Sequence, residues 1–126
     1  MKIYIASALT FATDEHKILI QKLRDELQKN YEILDYFGLG PGEPRDIYLH
    51  DIKCIKECDL LLAECSEKSL GTGYEIGYAL TLGKKVLACS NKVAKVGRMI
   101  RGITNSNFTF LEYENIDEII HAVGKI

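Results

Sequence analysis

Residues 59–65 read Asp-Leu-Leu-Leu-Ala-Glu-Cys, an almost continuous apolar run with the length of a short strand. Strands with one wet face alternate apolar and polar residues, whereas strands covered by helices on both faces do not. The run therefore predicts the central strand of a parallel sheet, with helices packed on both sides.

The flanking sequence alternates between strand-like and helix-like periods. Strands are predicted over 2–6, 31–35, 85–89 and 108–112, and helices over 14–30, 46–57, 73–83, 94–101 and 115–124. This order predicts right-handed βαβ units. We expect an α/β fold: a single domain over 1–126, a three-layer sandwich around a five-stranded parallel Rossmann-like (flavodoxin-like) sheet. Ligands of such sheets bind at the carboxyl ends of the strands.

In two of the predicted helices, the spacing of apolar residues also predicts which side chains are buried. Asp14 is expected to cap helix 14–30, whose inward face is marked by Ile18, Leu19, Leu23 and Leu27. In helix 46–57 we expect Ile52, Ile55 and Tyr48 to face the sheet. The segment 36–46 holds three glycines and both prolines and is predicted to be a loop.

Composition excludes several classes of protein. Hydrophobic residues make up 47% of the 126 residues and charged residues 27%, the balance of a folded domain. The formal net charge of -2 argues against nucleic acid as a partner. No apolar run approaches the roughly 20 residues of a membrane span, and charged residues soon follow the apolar N-terminus. A cytoplasmic protein is expected, with no membrane partner.

The four cysteines are expected to be reduced packing residues. Cys54 and Cys58 are spaced like two ligands on one helix face, but no further His or Cys completes a metal set. Cys65 and Cys89 fall in apolar strand-like runs. No metal site is predicted.

The stretch 69–80, Ser-Leu-Gly-Thr-Gly-Tyr-Glu-Ile-Gly-Tyr-Ala-Leu, lies between the buried strand and a helix. Gly71 and Gly73 are expected to let the backbone turn sharply and approach a ligand closely. A helix start also offers free N–H groups and a positive dipole end to an anion. The stretch lacks the Gly-Lys-Ser/Thr of a P-loop and the GxGxxG of a dinucleotide fold.

Glu75 is the one charged residue between 74 and 83. It is either a first-turn glutamate that the helix dipole favours, or a buried carboxylate acting as nucleophile or base. Asp51 and Glu64 provide further carboxylates and Tyr4 a phenol near the same strand ends. Taken alone, Asp51 is best explained as a solvated residue on an exposed helix face. Two carboxylates with a sugar between them suit glycosidic chemistry.

The stretch Ala-Glu-Cys-Ser-Glu-Lys-Ser-Leu-Gly-Thr-Gly-Tyr-Glu-Ile-Gly-Tyr-Ala-Leu, with Asp51 lying 24 residues before Glu75, resembles the signature of the nucleoside 2-deoxyribosyltransferase superfamily. Within it the chain is most similar to the 2′-deoxynucleoside 5′-monophosphate N-glycosidases. The resemblance extends from the first strand to the run Met-Ile-Arg-Gly at 99–102.

The resemblance implies a role for each matching residue. Glu75 is the nucleophile that attacks C1′, Asp51 assists proton transfer to the departing base, and Tyr4 orients the nucleophile. Substrate-binding positions are Ile5, Ala6, Ser7, Ala8, Leu9, Phe37, Ser69, Gly71, Gly73, Gly97, Arg98 and Met99. The last three belong to a neighbouring subunit's site, so a homodimer is implied. No metal or organic cofactor is implied.

The chain departs from the family pattern at three places. Ala8, Leu9 and Thr10 replace a serine, an arginine and glycines of the animal enzymes. The Gly97-Arg98 pair replaces a second phosphate-binding serine, and Phe37 replaces a histidine common after the second strand.

Position 69 separates the two enzyme hypotheses. The transferases carry an aspartate there, which holds the free 5′-hydroxyl of a nucleoside. A serine can donate to a phosphate that a carboxylate would repel. Ser69 therefore favours hydrolysis of nucleoside 5′-monophosphates, which are small-molecule substrates. Base exchange on deoxynucleosides and a non-catalytic nucleotide-binding module are the alternatives.

Overall fold

A computed structural model describes residues 1–34 and 42–126. The strands are β1 (Lys2–Ser7), β2 (Glu32–Leu34), β3 (Leu60–Glu64), β4 (Lys85–Asn91) and β5 (Phe108–Tyr113). The helices are α1 (Asp14–Leu27), α2 (Pro44–Glu57), α3 (Leu70–Thr81), α4 (Arg98–Arg101) and α5 (Ile116–Gly124). Phe37 lies outside the described residues.

In the described ranges, five strands form one all-parallel sheet in the order β2-β1-β3-β4-β5. All residues of β3, the central strand, are buried, as its apolar run predicts. The predicted α/β fold is confirmed. Strand order reverses between β1 and β3, and ligands of such sheets bind at the carboxyl side of this switch point.

The two faces of the sheet pack against different helices because successive side chains of a strand point in opposite directions. One face packs against α1 and α5 through Ile3, Ile5, Leu60, Leu62 and Leu87. The other packs against α2 and α3 through Tyr4, Ala6, Leu61, Ala63 and Val86. Two polar side chains at neighbouring positions of one strand therefore lie on opposite faces of the sheet and cannot meet.

Helix α1 packs three of the four predicted positions, Leu19, Leu23 and Leu27, against the core, and the prediction is wrong only for Ile18. Ile18 is 68% exposed, while His16 and Ile20 face the core together with Leu23 and Leu27. The buried positions follow a 4-3-4 spacing, which places Ile18 on the far side. The cap is Thr13 rather than Asp14, because the Thr13 hydroxyl oxygen accepts the His16 N–H at 3.1 Å.

Helix α2 begins at Pro44, two residues before the predicted start, with proline in the first turn where its missing N–H costs nothing. Ile52 and Ile55 are buried as expected. Tyr48 is 49% exposed, so its predicted inward orientation is wrong. It lies on a face of α2 that also exposes Leu49.

Helix α3 starts at Leu70 rather than at 73, because Ser69 caps it. The predicted glycine turn is therefore wrong: Gly71 and Gly73 lie in the first helical turn, without positive φ. Helix α4 is shorter than predicted. The Asn91 side chain accepts the N–H groups of Val93 and Ala94 and holds the preceding segment in a turn.

The four cysteines are free thiols, and Cys54, Cys58 and Cys89 are buried, as predicted for packing residues. Across residues 1–34 and 42–126, no helix combines the length and apolar character needed to cross a membrane. Within the same ranges, His, Cys, Asp and Glu side chains form no group of three suited to a metal ion.

Candidate active site

Three candidate catalytic side chains lie on one face of the sheet, near the switch point. Tyr4 comes from β1, Asp51 from α2 and Glu75 from α3. The Tyr4 hydroxyl donates a hydrogen bond to the Glu75 carboxylate. Asp51 is close enough for its charge to raise the pKa of both Tyr4 and Glu75. Residues far apart in sequence thus form one polar cluster between β1, α2 and α3.

The Glu75 carboxyl is poorly solvated. Burial, with a further contribution from the Asp51 charge, raises its pKa to about 7 from an ordinary value of 4.5, while the Tyr4 hydrogen bond acts in the opposite direction. Its Oε2 atom is buried and has no hydrogen-bond partner within the described residues. One oxygen is therefore held by Tyr4, and the other is available to react with or bind a ligand.

Tyr4 is suited to be a permanent donor. It is 2% exposed, and burial, followed by the charges of Glu75 and Asp51, raises its pKa far above the ordinary value of 10. The phenol stays protonated at any physiological pH, so its O–H always points at an acceptor. Tyr4 is therefore suited to hold Glu75 by a hydrogen bond and unsuited to exchange protons.

Asp51 lies half-buried on α2, directly after His50. The His50 Nε2 atom is 3.7 Å from the Cys54 Sγ atom, one helical turn further along α2. Asp51 and Glu75 are both half-buried, so neither residue is fully cut off from solvent. A carboxylate that is partly accessible can exchange protons with both a ligand and water.

The Ser69 hydroxyl can accept one hydrogen bond and donate another at the same time. Its Oγ atom accepts the Thr72 N–H at 3.1 Å and so caps α3. The hydroxyl proton remains available for donation, beside the N–H groups of the first helical turn. A Cβ atom built on Gly73 would meet nothing within 4 Å. A ligand can thus approach this backbone closely, and a helix start of this kind suits an anion.

The predicted first substrate loop is divided between the two faces. Ile5 packs in the core with α1 and α5, so it can offer only its backbone to a ligand on the α3 side. Ala6 faces α2 and α3. Ser7, the last residue of β1, is half-buried; beyond the strand, Ala8 is buried and Leu9 is half-buried.

Gly97, Arg98 and Met99 are exposed at the start of α4, with Met99 88% exposed. Ile100, the next residue, packs against the core beneath α2 and α3. The three residues therefore point away from their own chain on the face of the sheet that carries Glu75.

Glu64 does not join this cluster. It is fully buried on the opposite face, where its carboxylate accepts hydrogen bonds from Ser66 and from the Tyr113 hydroxyl, the latter at 3.0 Å. The expectation that Glu64 lies in the same neighbourhood as Asp51 and Glu75 is wrong. Alternation along β3 explains the difference, because Ala63 takes the position facing α3.

Sequence reasoning also missed a group of partly exposed tyrosine rings on α2 and α3. The hydroxyls of Tyr48 and Tyr74 are 3.1 Å apart, and the rings of Tyr74 and Tyr78 stack with centroids 6.1 Å apart. The i,i+4 spacing of Tyr74 and Tyr78 was the available signal. The contact with Tyr48 depends on the packing of α2 against α3, which no local pattern reveals.

A family model described as nucleoside 2-deoxyribosyltransferase matches residues 3–113. A Thermofilum pendens protein named among the 2′-deoxynucleoside 5′-phosphate N-hydrolases is 36% identical, over 100% of this chain and 94% of the relative. The mouse 5-hydroxymethyl-dUMP N-hydrolase is 33% identical over 85% of this chain and 70% of its own length. A solved CMP N-glycosidase from Clostridium botulinum superposes with a TM-score of 0.73 over 100% of both chains, at 26% identity.

Proposed function

The chain belongs to the nucleoside 2-deoxyribosyltransferase family, and we propose that it hydrolyses the N-glycosidic bond of 2′-deoxynucleoside 5′-monophosphates. The products are the free base and deoxyribose 5-phosphate. The observation that carries the proposal is the Glu75 carboxylate, which Tyr4 holds by one oxygen while the other lies buried without a partner. The names of the relatives support the choice of a hydrolase acting on nucleotides.

In the first step, the free oxygen of Glu75 attacks C1′ of the sugar. The C1′–N bond breaks and its electron pair leaves with the base, which is protonated with the assistance of Asp51. Positive charge develops on the sugar ring between these carboxylates, and this charge stabilises the poorly solvated Glu75 ion at the transition state. A glycosyl ester of Glu75 results.

In the second step, water attacks C1′ of the ester. The C1′–O bond to Glu75 breaks, the electron pair returns to the carboxylate, and the proton of the water passes to Asp51 or to solvent. The sugar leaves as deoxyribose 5-phosphate. Tyr4 donates to Glu75 throughout, which makes the carboxylate a better leaving group in this step.

The 5′-phosphate is held at the start of α3. The Ser69 hydroxyl donates one hydrogen bond, and the N–H groups of Leu70 and Gly71 lie in the first turn, where no helical acceptor exists for them. The helix dipole adds a favourable term for a dianion. The open space beside Gly73 admits the phosphate close to the backbone.

We further propose that the active form is a homodimer. Leu70 is 97% exposed and Met99 88%, and both lie on the face of the sheet that carries Glu75. Exposed apolar side chains concentrated near a site are typical of a subunit interface. A second chain covering them would place its Arg98 near the 5′-phosphate, where a guanidinium makes a strong charge-assisted contact.

The test is to incubate the purified protein with a panel of 5′-monophosphates and their nucleosides, with and without a second free base, and to identify the products. Base and deoxyribose 5-phosphate from nucleotides support the proposal. Release of base from nucleosides with transfer of the sugar to the added base would indicate a transferase instead. No turnover of any compound would indicate a binding module.

Glu75→Ala tests the assigned nucleophile. We expect no base release, and no sugar adduct when the reaction is stopped by rapid denaturation and analysed by mass spectrometry. Glu57→Ala, on the exposed end of α2, is the control and should react as wild type. Turnover by Glu75→Ala near the wild-type rate would show that the nucleophile is another group.

A further inference from the structure

Glu67 connects two loops that border the candidate site. It lies in the segment between β3 and α3, two residues before the cap Ser69. Its carboxylate accepts the Thr13 backbone N–H at 3.1 Å and the Thr13 hydroxyl at 2.8 Å. Thr13 ends the segment that follows β1 and caps α1. The contact therefore joins the segment that leads to the proposed phosphate site to the segment that follows β1.

A buried network continues from this contact on the face of the sheet opposite Glu75. The His16 Nδ1 atom lies 3.6 Å from Glu67 Oε2 and 3.6 Å from Glu64 Oε2. The Glu64 carboxylate accepts the backbone N–H and the hydroxyl of Ser66, and the Ser66 hydroxyl oxygen accepts the Asn91 N–H at 2.9 Å.

The segment before α3 is thus fixed at two consecutive positions. Ser66 is held by the ends of β3 and β4, and Glu67 is held by the start of α1. None of these contacts lies on the face that carries Glu75. These contacts connect the segment that leads to Ser69 with the start of α1 and the end of β4.

We infer that Glu67 and Thr13 are positioning residues for the phosphate end of the site, setting substrate affinity without taking part in bond cleavage. This inference rests on the proposed function, because it assigns the phosphate to the start of α3. When this contact is removed, the two segments become ordered only when substrate binds. The entropy lost in ordering them makes the binding free energy less favourable, so the affinity for substrate falls.

The test compares Glu67→Ala with Glu118→Ala. Glu118 makes the same kind of contact, accepting the backbone N–H groups of Glu114 and Asn115, but at the start of α5, away from the site. Loss of two hydrogen bonds to a partly exposed carboxylate should raise KM for a deoxynucleoside monophosphate about tenfold, with kcat changed less than about twofold. Glu118→Ala should leave both constants as in wild type.

Thr13 supplies the complementary variants. Thr13→Val removes the hydroxyl that caps α1 and donates to Glu67, and should raise KM as Glu67→Ala does. Thr13→Ser keeps both contacts and should restore the wild-type KM. A role limited to stability would instead lower the active fraction, so kcat would fall while KM stayed constant.

Hydrogen exchange gives a readout that needs no turnover. In Glu67→Ala we expect faster exchange at the amides of Thr13 and Thr72, the latter reporting on the Ser69 cap, and unchanged exchange in α5. Unchanged exchange at Thr72, or a fall in kcat without a rise in KM, would overturn the inference. If wild type hydrolyses no nucleotide, the proposed function fails, and the exchange data alone decide whether the contact orders the start of α3.

Discussion

Replacement of Glu75 by glutamine should stabilise the fold, and by an amount that depends on pH. The pKa of the Glu75 carboxyl is raised from 4.5 to about 7, chiefly by burial. Between these values the folded protein holds a proton that the unfolded chain has released. Stability of wild type therefore falls as pH rises through this window and levels off above it. Glu75→Gln is neutral at every pH and escapes the loss.

The magnitude follows from the pKa difference. A difference of one pKa unit corresponds to about 1.4 kcal/mol, so the gap between 4.5 and about 7 corresponds to about 3.5 kcal/mol when the carboxyl is fully ionised. At pH 4, where Glu75 is protonated in both states, wild type and Glu75→Gln should have nearly equal free energies of unfolding. At pH 8, where most of this difference is developed, the variant should be more stable by about 3 kcal/mol.

Urea unfolding at pH 4, 6 and 8, followed by circular dichroism, measures this difference. Glu57→Gln, a change at an exposed carboxyl on α2, controls for the loss of one negative charge. If the difference in free energy of unfolding between Glu75→Gln and wild type stays constant from pH 4 to pH 8, the reasoning is refuted. Ionisation of Glu75 would then not destabilise the fold.

Three further substitutions test the assigned roles in the proposed reaction. Tyr4→Phe removes the hydrogen bond that lowers the pKa of Glu75. The acid limb of the kcat/KM profile against pH should therefore move to higher pH, and kcat should fall about 10–100-fold. An acid limb at the wild-type pH would contradict the assigned role of Tyr4. Asp51→Asn should lower kcat about 10²–10⁴-fold through lost proton transfer. A fall in the steady-state rate of less than about fivefold would show that Asp51 takes no part in the reaction. Ser69→Asp should lower kcat/KM for the nucleotide by at least ~2–3 kcal/mol through repulsion of the phosphate, yet spare a nucleoside in parallel assays; equal losses on both would mean that Ser69 only shapes the helix start.

The central sheet was predictable because its signals are local. The apolar run 59–65 and the alternation of periods depend only on neighbouring residues, and they gave the correct layers and parallel strands. The start of α3 was not predictable from glycine content. The Ser69 side chain caps the helix, so the helix begins before Gly71 and Gly73 and includes both glycines. Side-chain capping competes with the backbone freedom of glycine and here prevails.

The candidate site was predictable only in part, for a geometric reason. Asp51 and Glu75 were recognised by their spacing and resemblance, and α2 and α3 bring them together. Glu64 was misplaced, because a single residue of offset along β3 moves a side chain to the other side of the sheet. The contact of Glu67 with Thr13 joins residues 54 positions apart and has no signature in either segment.

Ser69 caps α3 and, in the proposed reaction, also binds the phosphate, and this combination limits how the scaffold can change its substrate in evolution. Any residue at this position must cap α3, and Ser, Thr, Asp and Asn are the side chains that do so well. Serine and aspartate, which the family resemblance associates with nucleotides and nucleosides respectively, both belong to that short list. A lineage can therefore exchange one proposed specificity for the other without passing through an intermediate in which the helix that carries Glu75 has lost its cap.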